Sequence, residues 1–279
     1  MPKDSYGSSR VQSAISGTLG YVFVSVIAFF SVFPFVWMII GATNYSKDIS
    51  MGKMTPGLAI IDNFRSLGSL LDLGRLFGNS LIVTAIGTFC TLLAASMAGY
   101  GFEMYRSKAR ERVYSLMLLT MMVPFAAMMI PLFRMFAKAG LLNSFAAVIL
   151  PSVASIFVIF FFRQSTRTFS KELIQAARVD GLGEFKAFFL IYIPSMKSTF
   201  AAAAIIVFMS YWNNFLWPLI VLQSNDKKLL TLAISSLNSS YTPDYGVIML
   251  VIILATAPTL AIFFTMQRQF VEGMLGSIK

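Results

Sequence analysis

Residues free of Asp, Glu, Lys and Arg gather into six long runs, at 11–46, 76–102, 113–133, 139–162, 198–225 and 245–267. A charge at mid-bilayer costs about 2.5–3.5 kcal/mol on insertion scales, and a spanning helix needs about 20 apolar residues. Each run is therefore long enough to cross a membrane. The runs are continuously apolar rather than alternating, which favours helices over barrel strands. The pattern predicts an all-α integral membrane protein with six transmembrane helices. The 229–244 stretch is shorter, and its Ser, Asn, Thr and Pro residues from Ser235 to Pro243 read as a loop. The connection at 47–75, between the first two runs, has room for a short helix.

Composition agrees with this pattern. Of 279 residues, 57% are hydrophobic and 12% charged, more apolar surface than a soluble fold of this size hides. The chain has no His and one Cys, Cys90. Ser-His-Asp catalysis, a disulfide framework and a Cys-built zinc site are excluded, and no catalytic, cofactor-binding or metal-binding residue is expected. On so apolar a chain the net charge of +10 reads as a topology signal rather than a nucleic-acid footprint. With six spans, both termini and the loops at 103–112 and 163–197 share one side. That side holds fourteen basic residues, Lys3, Arg10, Arg268 and Lys279 among them, against eight on the other. Short basic loops stay cytoplasmic, so both termini are expected there. Arg106, Lys108, Arg110 and Arg112 need no ligand beyond this role. The apolar stretch 19–40 is too long for a cleavable signal core and is expected to remain as an anchor.

Pro34, Pro124, Pro131, Pro151, Pro218 and Pro258 lie in or beside the spans. Each removes a backbone donor and crowds the preceding turn, so carbonyls are freed that need partners. Such breaks are either benign kinks or pointers to a translocation path. Pro124 and Pro131, surrounded by Met121, Met122, Met128 and Met129, form the better candidate for a gate, because thioethers repack readily. In the fifth span Tyr211, Trp212, Asn213 and Asn214 are polar groups expensive to leave in lipid. They either bond neighbouring helices or line the path, and Trp217 is equally placed for an interfacial aromatic belt.

The segment 170–194 reads SKELIQAARVDGLGEFKAFFLIYIP. Ser170 suits an N-cap, Glu172 suits the positive end of a helix dipole, and Gly181 supplies the left-handed residue that ends the helix. A second helix follows with Phe185, Phe188, Phe189 and Tyr192 at i, i+3, i+4 and i+7, and Pro194 closes it. The result is a helix–turn–helix between the fourth and fifth spans. On composition alone it could equally lie on lipid as an amphipathic pair.

This segment resembles the signature of the permease subunits of binding-protein-dependent ABC importers: EAA, three residues, Gly, nine residues, then Ile-x-Leu-Pro. Gln175, Ala176, Ala177, Gly181, Ile191, Ile193 and Pro194 stand in register. Gln175 replaces the signature Glu and Ile193 replaces Leu. The first change removes a charge such a helix would offer a basic residue of the ATPase, and Glu172 and Asp180 remain as acidic candidates. PFVWMI from Pro34, AGYGFEMYR from Ala98, GLLNS from Gly140 and WNNFLWPLIV from Trp212 resemble the maltose and multiple-sugar branch of these permeases.

The resemblance implies a type I ABC importer permease fold in a bacterial inner membrane, with an N-terminal part at 1–71, a core at 72–267 and a cytoplasmic tail at 268–279. It implies a second permease subunit, two ATP-binding subunits and an extracytoplasmic solute-binding protein as partners. ATP and Mg would be held by the partners, since this chain has no G-x-x-x-x-G-K-[ST] phosphate loop. Residues Glu172, Gln175, Ala176, Ala177, Asp180, Gly181, Ile191 and Pro194 would couple ATPase closure to alternating access. Met128, Met129, Tyr211, Trp212, Asn213 and Asn214 are candidate pathway residues. Two other functions compete: an ion-coupled secondary transporter, for which intramembrane acids or His are missing from the spans, and an ABC permease for a non-sugar solute such as a glycerol phosphate.

Overall fold

The computed structural model describes residues 5–239 and 241–275, and no strand occurs among the described residues. Lys3 and Lys279 of the charge count, and residues 276–279 of the expected tail, lie outside them. In chain order the helices are α1 (Ser5–Ala42), α2 (Ser46–Ser50), α3 (Ile60–Leu70), α4 (Leu73–Met104), α5 (Lys108–Thr120), α6 (Phe125–Lys138), α7 (Phe145–Val153) and α8 (Ile156–Thr166). They continue as α9 (Lys171–Val179), α10 (Glu184–Ala187), α11 (Ile193–Ser195), α12 (Lys197–Trp212), α13 (Leu216–Val221), α14 (Leu230–Asn238) and α15 (Tyr245–Leu275). A π-helical turn, Phe188–Tyr192, joins α10 to α11.

The chain divides into two compact units, Met1–Leu70 with Leu237–Leu254, and Leu71–Ser236 with Ala255–Lys279. In the first, α2 and α3 occupy the connection after α1, as its length suggested. Asn63 pins α3 there: its Nδ2 donates to the Ala42 and Asn44 carbonyls at 2.9 and 3.0 Å. Pro34 rides inside α1 without interrupting it.

The second unit is organised around α4, against which α7, α8 and α12 pack. Glycines allow the close approach. A Cβ at Gly99 would lie 2.7 Å from the Phe162 Cβ and 2.8 Å from the Arg163 amide nitrogen, and one at Gly87 would strike the Tyr211 ring. Small residues at helix contacts are how membrane helices gain van der Waals packing.

Three helical segments are each long and apolar enough to span a membrane: Gly17–Ala42, Leu73–Met104 and Tyr245–Arg268. The other three runs are broken rather than straight. α5 and α6 meet at 102° and α7 and α8 at 41°, and the run 198–225 is interrupted between α12 and α13; ahead of that run the Glu184–Ser195 stretch turns 84° into α12. Prolines account for the breaks before α6 and before α13. Proline crowds the carbonyl four residues before it, and α5 stops at Thr120, four residues before Pro124. Freed carbonyls find side-chain donors. The Ala147 carbonyl, four before Pro151, accepts from Trp217 Nε1 at 2.8 Å. The Asn214 carbonyl, four before Pro218, accepts from Thr231 Oγ1 at 2.9 Å. Pro131 and Pro258 are carried inside α6 and α15.

Two expectations change. Trp217 is 1% exposed, with its indole committed to Ala147, so it belongs to the core and not to an aromatic belt. Ser235 to Asn238 are not loop: they complete α14, where Leu230, Leu232 and Ala233 bury the apolar side and outweigh the polar residues that follow.

Candidate functional site: the 170–194 hairpin and its anchorage

Sequence reading places a helix–turn–helix here, and α9, the Gly181 turn and α10 form one. Gly181 has φ +82°, the left-handed conformation the turn requires. Ser170 takes the N-cap position, but its hydroxyl donates to Glu172 Oε2 at 2.5 Å instead of capping a backbone amide. That bond holds the Glu172 carboxyl below the usual carboxylate range.

The hairpin has an inside and an outside. Ile174, Ala177, Ala187, Phe188, Tyr192 and Met196 pack into a core with Tyr100 and Phe169. Tyr192 stands 4.8 Å, ring to ring, from Tyr100 of α4, and its hydroxyl is 2.6 Å from Thr166 Oγ1 of α8. Ala177 therefore supports the hairpin from within; its small side chain lets the two arms close. Gln175, Ala176 and Asp180 lie on the open side with Glu172 and Pro194, and Ile191 is half-buried. Val179 and Phe185, 89% and 70% exposed, extend that open surface and were not singled out by the signature. The expected aromatic stripe is divided: Phe188 and Tyr192 are buried, while Phe185 and Phe189 are exposed. The π turn adds a residue to the local period, so side chains four apart stay in line and the others swing away.

A clasp crosses the turn. Arg178 Nε donates to Glu184 Oε1 at 2.7 Å, Arg178 Nη2 donates to the Tyr105 hydroxyl at 3.3 Å, and that hydroxyl donates to Glu184 Oε2. Arg178 first, and Tyr105 second, hold the Glu184 carboxyl below its ordinary range. Burial, followed by the Glu184 bond, pushes the Tyr105 phenol up. Tyr105 follows α4 directly, so the clasp fixes the hairpin tip to the end of the central helix.

A second anchorage at the hairpin base was missed by the charge count. Glu103 is 2% exposed and faces four cations. Arg163 Nε lies at 3.6 Å, Arg167 Nε at 3.8 Å and Lys171 Nζ at 3.7 Å, and Arg106 bonds it directly. Arg163, equally buried, also pairs with Glu111 and lies 3.9 Å over the Tyr114 ring. Arg106 thus has a ligand where only a topological role was assigned. Lys171 opens α9, so the network joins the start of the hairpin to α4, α5 and α8. The signal was present: Glu103 and Arg163 are the charges that immediately end the runs 76–102 and 139–162.

The candidate pathway residues separate into two kinds. Tyr211 and Trp212 are buried and bonded: the Tyr211 hydroxyl donates to the Ile149 carbonyl at 3.1 Å, and Trp212 Nε1 donates to the Ala255 carbonyl at 2.8 Å. They hold helices together. Met129 is also buried, while Asn213 and Met128 are exposed and Asn214 is half-buried.

An apolar multi-helix chain whose broken spans pack around a central helix, with a helix–turn–helix bonded to one end of it, has the features of an importer permease. The family model for inner membrane components of binding-protein-dependent transport systems matches residues 87–276, and the chain belongs to that family. Over 259 residues it is 58% identical to the lactose transport system permease protein LacG of Rhizobium radiobacter, covering 93% of this chain and 95% of that one. It is 35% identical over 266 residues to the arabinooligosaccharides transport system permease protein AraQ of Bacillus subtilis, covering 92% and 94%. A crystal structure of a bacterial ABC transporter involved in the import of the acidic polysaccharide alginate contains a chain of the same fold. It superposes with a TM-score of 0.81 at 19% identity, covering 93% of this chain and 98% of that one. The protein is a multi-pass permease subunit of an ABC importer and not an enzyme. It works with a partner permease, an ATPase and a solute-binding protein.

Proposed function

We propose that this chain forms half of a heterodimeric pore that imports a neutral saccharide, with two ATPase subunits each receiving one permease hairpin. Its termini and the 170–194 hairpin lie in the cytoplasm, on the side richer in Lys and Arg. The observation that carries the solute class is the 58% identity, over nearly the whole chain, to a lactose permease. Gln175, Ala176, Val179, Asp180 and Phe185 form the surface offered to the ATPase. Arg178, Glu184, Tyr105 and the Glu103 network transmit its movement to α4 and α8, and alternating access follows because the solute is bound differently in the two states.

The test is uptake by the complete importer in proteoliposomes supplied with its binding protein and radiolabelled lactose. Uptake is expected to require ATP and to survive collapse of the ion gradients. Uptake that persists without ATP and stops with the gradient would identify a secondary transporter. Uptake of sn-glycerol 3-phosphate in preference to lactose would identify a non-sugar permease.

A further inference from the structure

The break between α7 and α8 opens onto a cavity of about 240 Å³ bounded by α4, α6, α7, α8 and α12. Its polar lining is made of hydroxyls: Thr91 near the middle of α4, Ser152 and Ser155 on either side of the break, and Ser210 and Tyr211 of α12, the last already bonded to the Ile149 carbonyl. Phe125 and Phe157 supply aromatic faces. Backbone polarity reaches the cavity too, since the Ser152 carbonyl at the end of α7 takes only a long 3.4 Å bond from Thr91 Oγ1. Hydrocarbon has no hydrogen bond to give such groups, so a cavity with this lining sits where water or a polar solute can reach it. Interrupted membrane helices are where transporters bring backbone polarity to a solute.

We propose that this cavity receives one ring of an uncharged saccharide during translocation, the hydroxyls bonding the sugar and Phe125 and Phe157 covering its apolar face. The proposal rests on the saccharide-importer reading above and assigns part of the solute path to this chain. Two features narrow the ligand. No Asp, Glu, Lys or Arg lines the cavity, which leaves a phosphate or carboxylate without a counter-charge. The volume falls below the roughly 300–1,000 Å³ of pockets for drug-sized ligands, so one ring fits and the rest of a longer saccharide lies against the partner permease.

The experiment uses the assembled importer with Cys90→Ser as background and introduces Ser155→Cys, Ser210→Cys or, as a control, Phe89→Cys on the exposed face of α4. Each is treated with a membrane-impermeant methanethiosulfonate during turnover with ATP and binding protein. A thiol in hydrocarbon stays protonated and inert, so the two serine-site variants are expected to react at least about tenfold faster than the control. Saturating lactose should slow them severalfold, and sn-glycerol 3-phosphate should not. Reaction no faster than the control shows the cavity closed to water and overturns the proposal. Reaction that lactose does not slow, in importer that transports lactose, overturns the cavity's role and leaves the importer reading standing. Importer that transports no saccharide at all removes both. Should a cysteine variant fail to assemble, Ser210→Ala decides by lactose uptake, since Ser155 also caps α8 through the Val158 amide: a loss of about threefold or more is expected from a missing hydrogen bond, and unchanged uptake overturns the proposal.

Discussion

Replacing Ala177 by Arg is expected to abolish solute uptake and to release the ATPase from the purified importer, while the amount of chain inserted in the membrane stays within about twofold of wild type. Insertion is decided by the hydropathy of the spans, which the substitution leaves alone. The hairpin is another matter. Ala177 is 3% exposed and packed in one cluster with Ile174, Ala187, Phe188 and Tyr192. A guanidinium there has neither room nor counter-ion, and a buried unpaired charge costs about 3–5 kcal/mol. The two arms separate, and the surface offered by Gln175, Ala176 and Val179 is lost with them. Ala176→Arg, on the exposed side, leaves the hairpin folded and acts only where the ATPase touches it. Copurification of the ATPase and protease resistance of residues 170–194 distinguish the two variants; normal uptake by Ala177→Arg contradicts the packing described here.

Glu103→Leu is the second large effect. Removing the buried carboxylate leaves Arg163 with Glu111 alone on one side and strands the rest of the guanidinium in an apolar setting, at a cost of about 3 kcal/mol or more. Arg106, Arg167 and Lys171 are half-exposed and can turn to water. The thermal midpoint of the detergent-purified complex should fall, and the double variant Glu103→Leu with Arg163→Met should recover much of the loss, because both buried charges are then gone. A double variant no better than the single one would show that the ion pair is not what Glu103 contributes.

These two positions illustrate what the sequence made legible. The spans could be read because a charge in lipid is costly enough to leave long gaps, and the turn at Gly181 because a left-handed residue has few substitutes. The break before Pro124 and the demand for donors near Pro151 and Pro218 followed from the missing proline N–H. The identity of those donors did not: Trp217 serves Ala147 from seventy positions away. Trp217 and Tyr211 were ambiguous for the same reason, since a polar aromatic looks alike whether it bonds a neighbouring helix or faces a path. The aromatic stripe from Phe185 to Tyr192 assumed 3.6 residues per turn, and a π turn broke that assumption. Glu103 and Arg163 were counted as topology because a charge window measures where a span ends and not what the charge meets across the bundle. Of the polar groups lining the α7–α8 cavity the sequence singled out only Tyr211; the rest are single serines and a threonine that no motif joins.

The central claim is that the 170–194 hairpin is the contact through which an ATPase moves this subunit. Its most direct test is site-specific photocrosslinking in the intact importer, with p-benzoylphenylalanine placed at Ala176 or at Val179, the latter 89% exposed in this chain. The account predicts a covalent adduct between the chain and the ATP-binding subunit from both positions, with a yield that changes between nucleotide-free and ATP-bound states. Adducts to lipid alone, or none from either position in an importer that still transports, would contradict it.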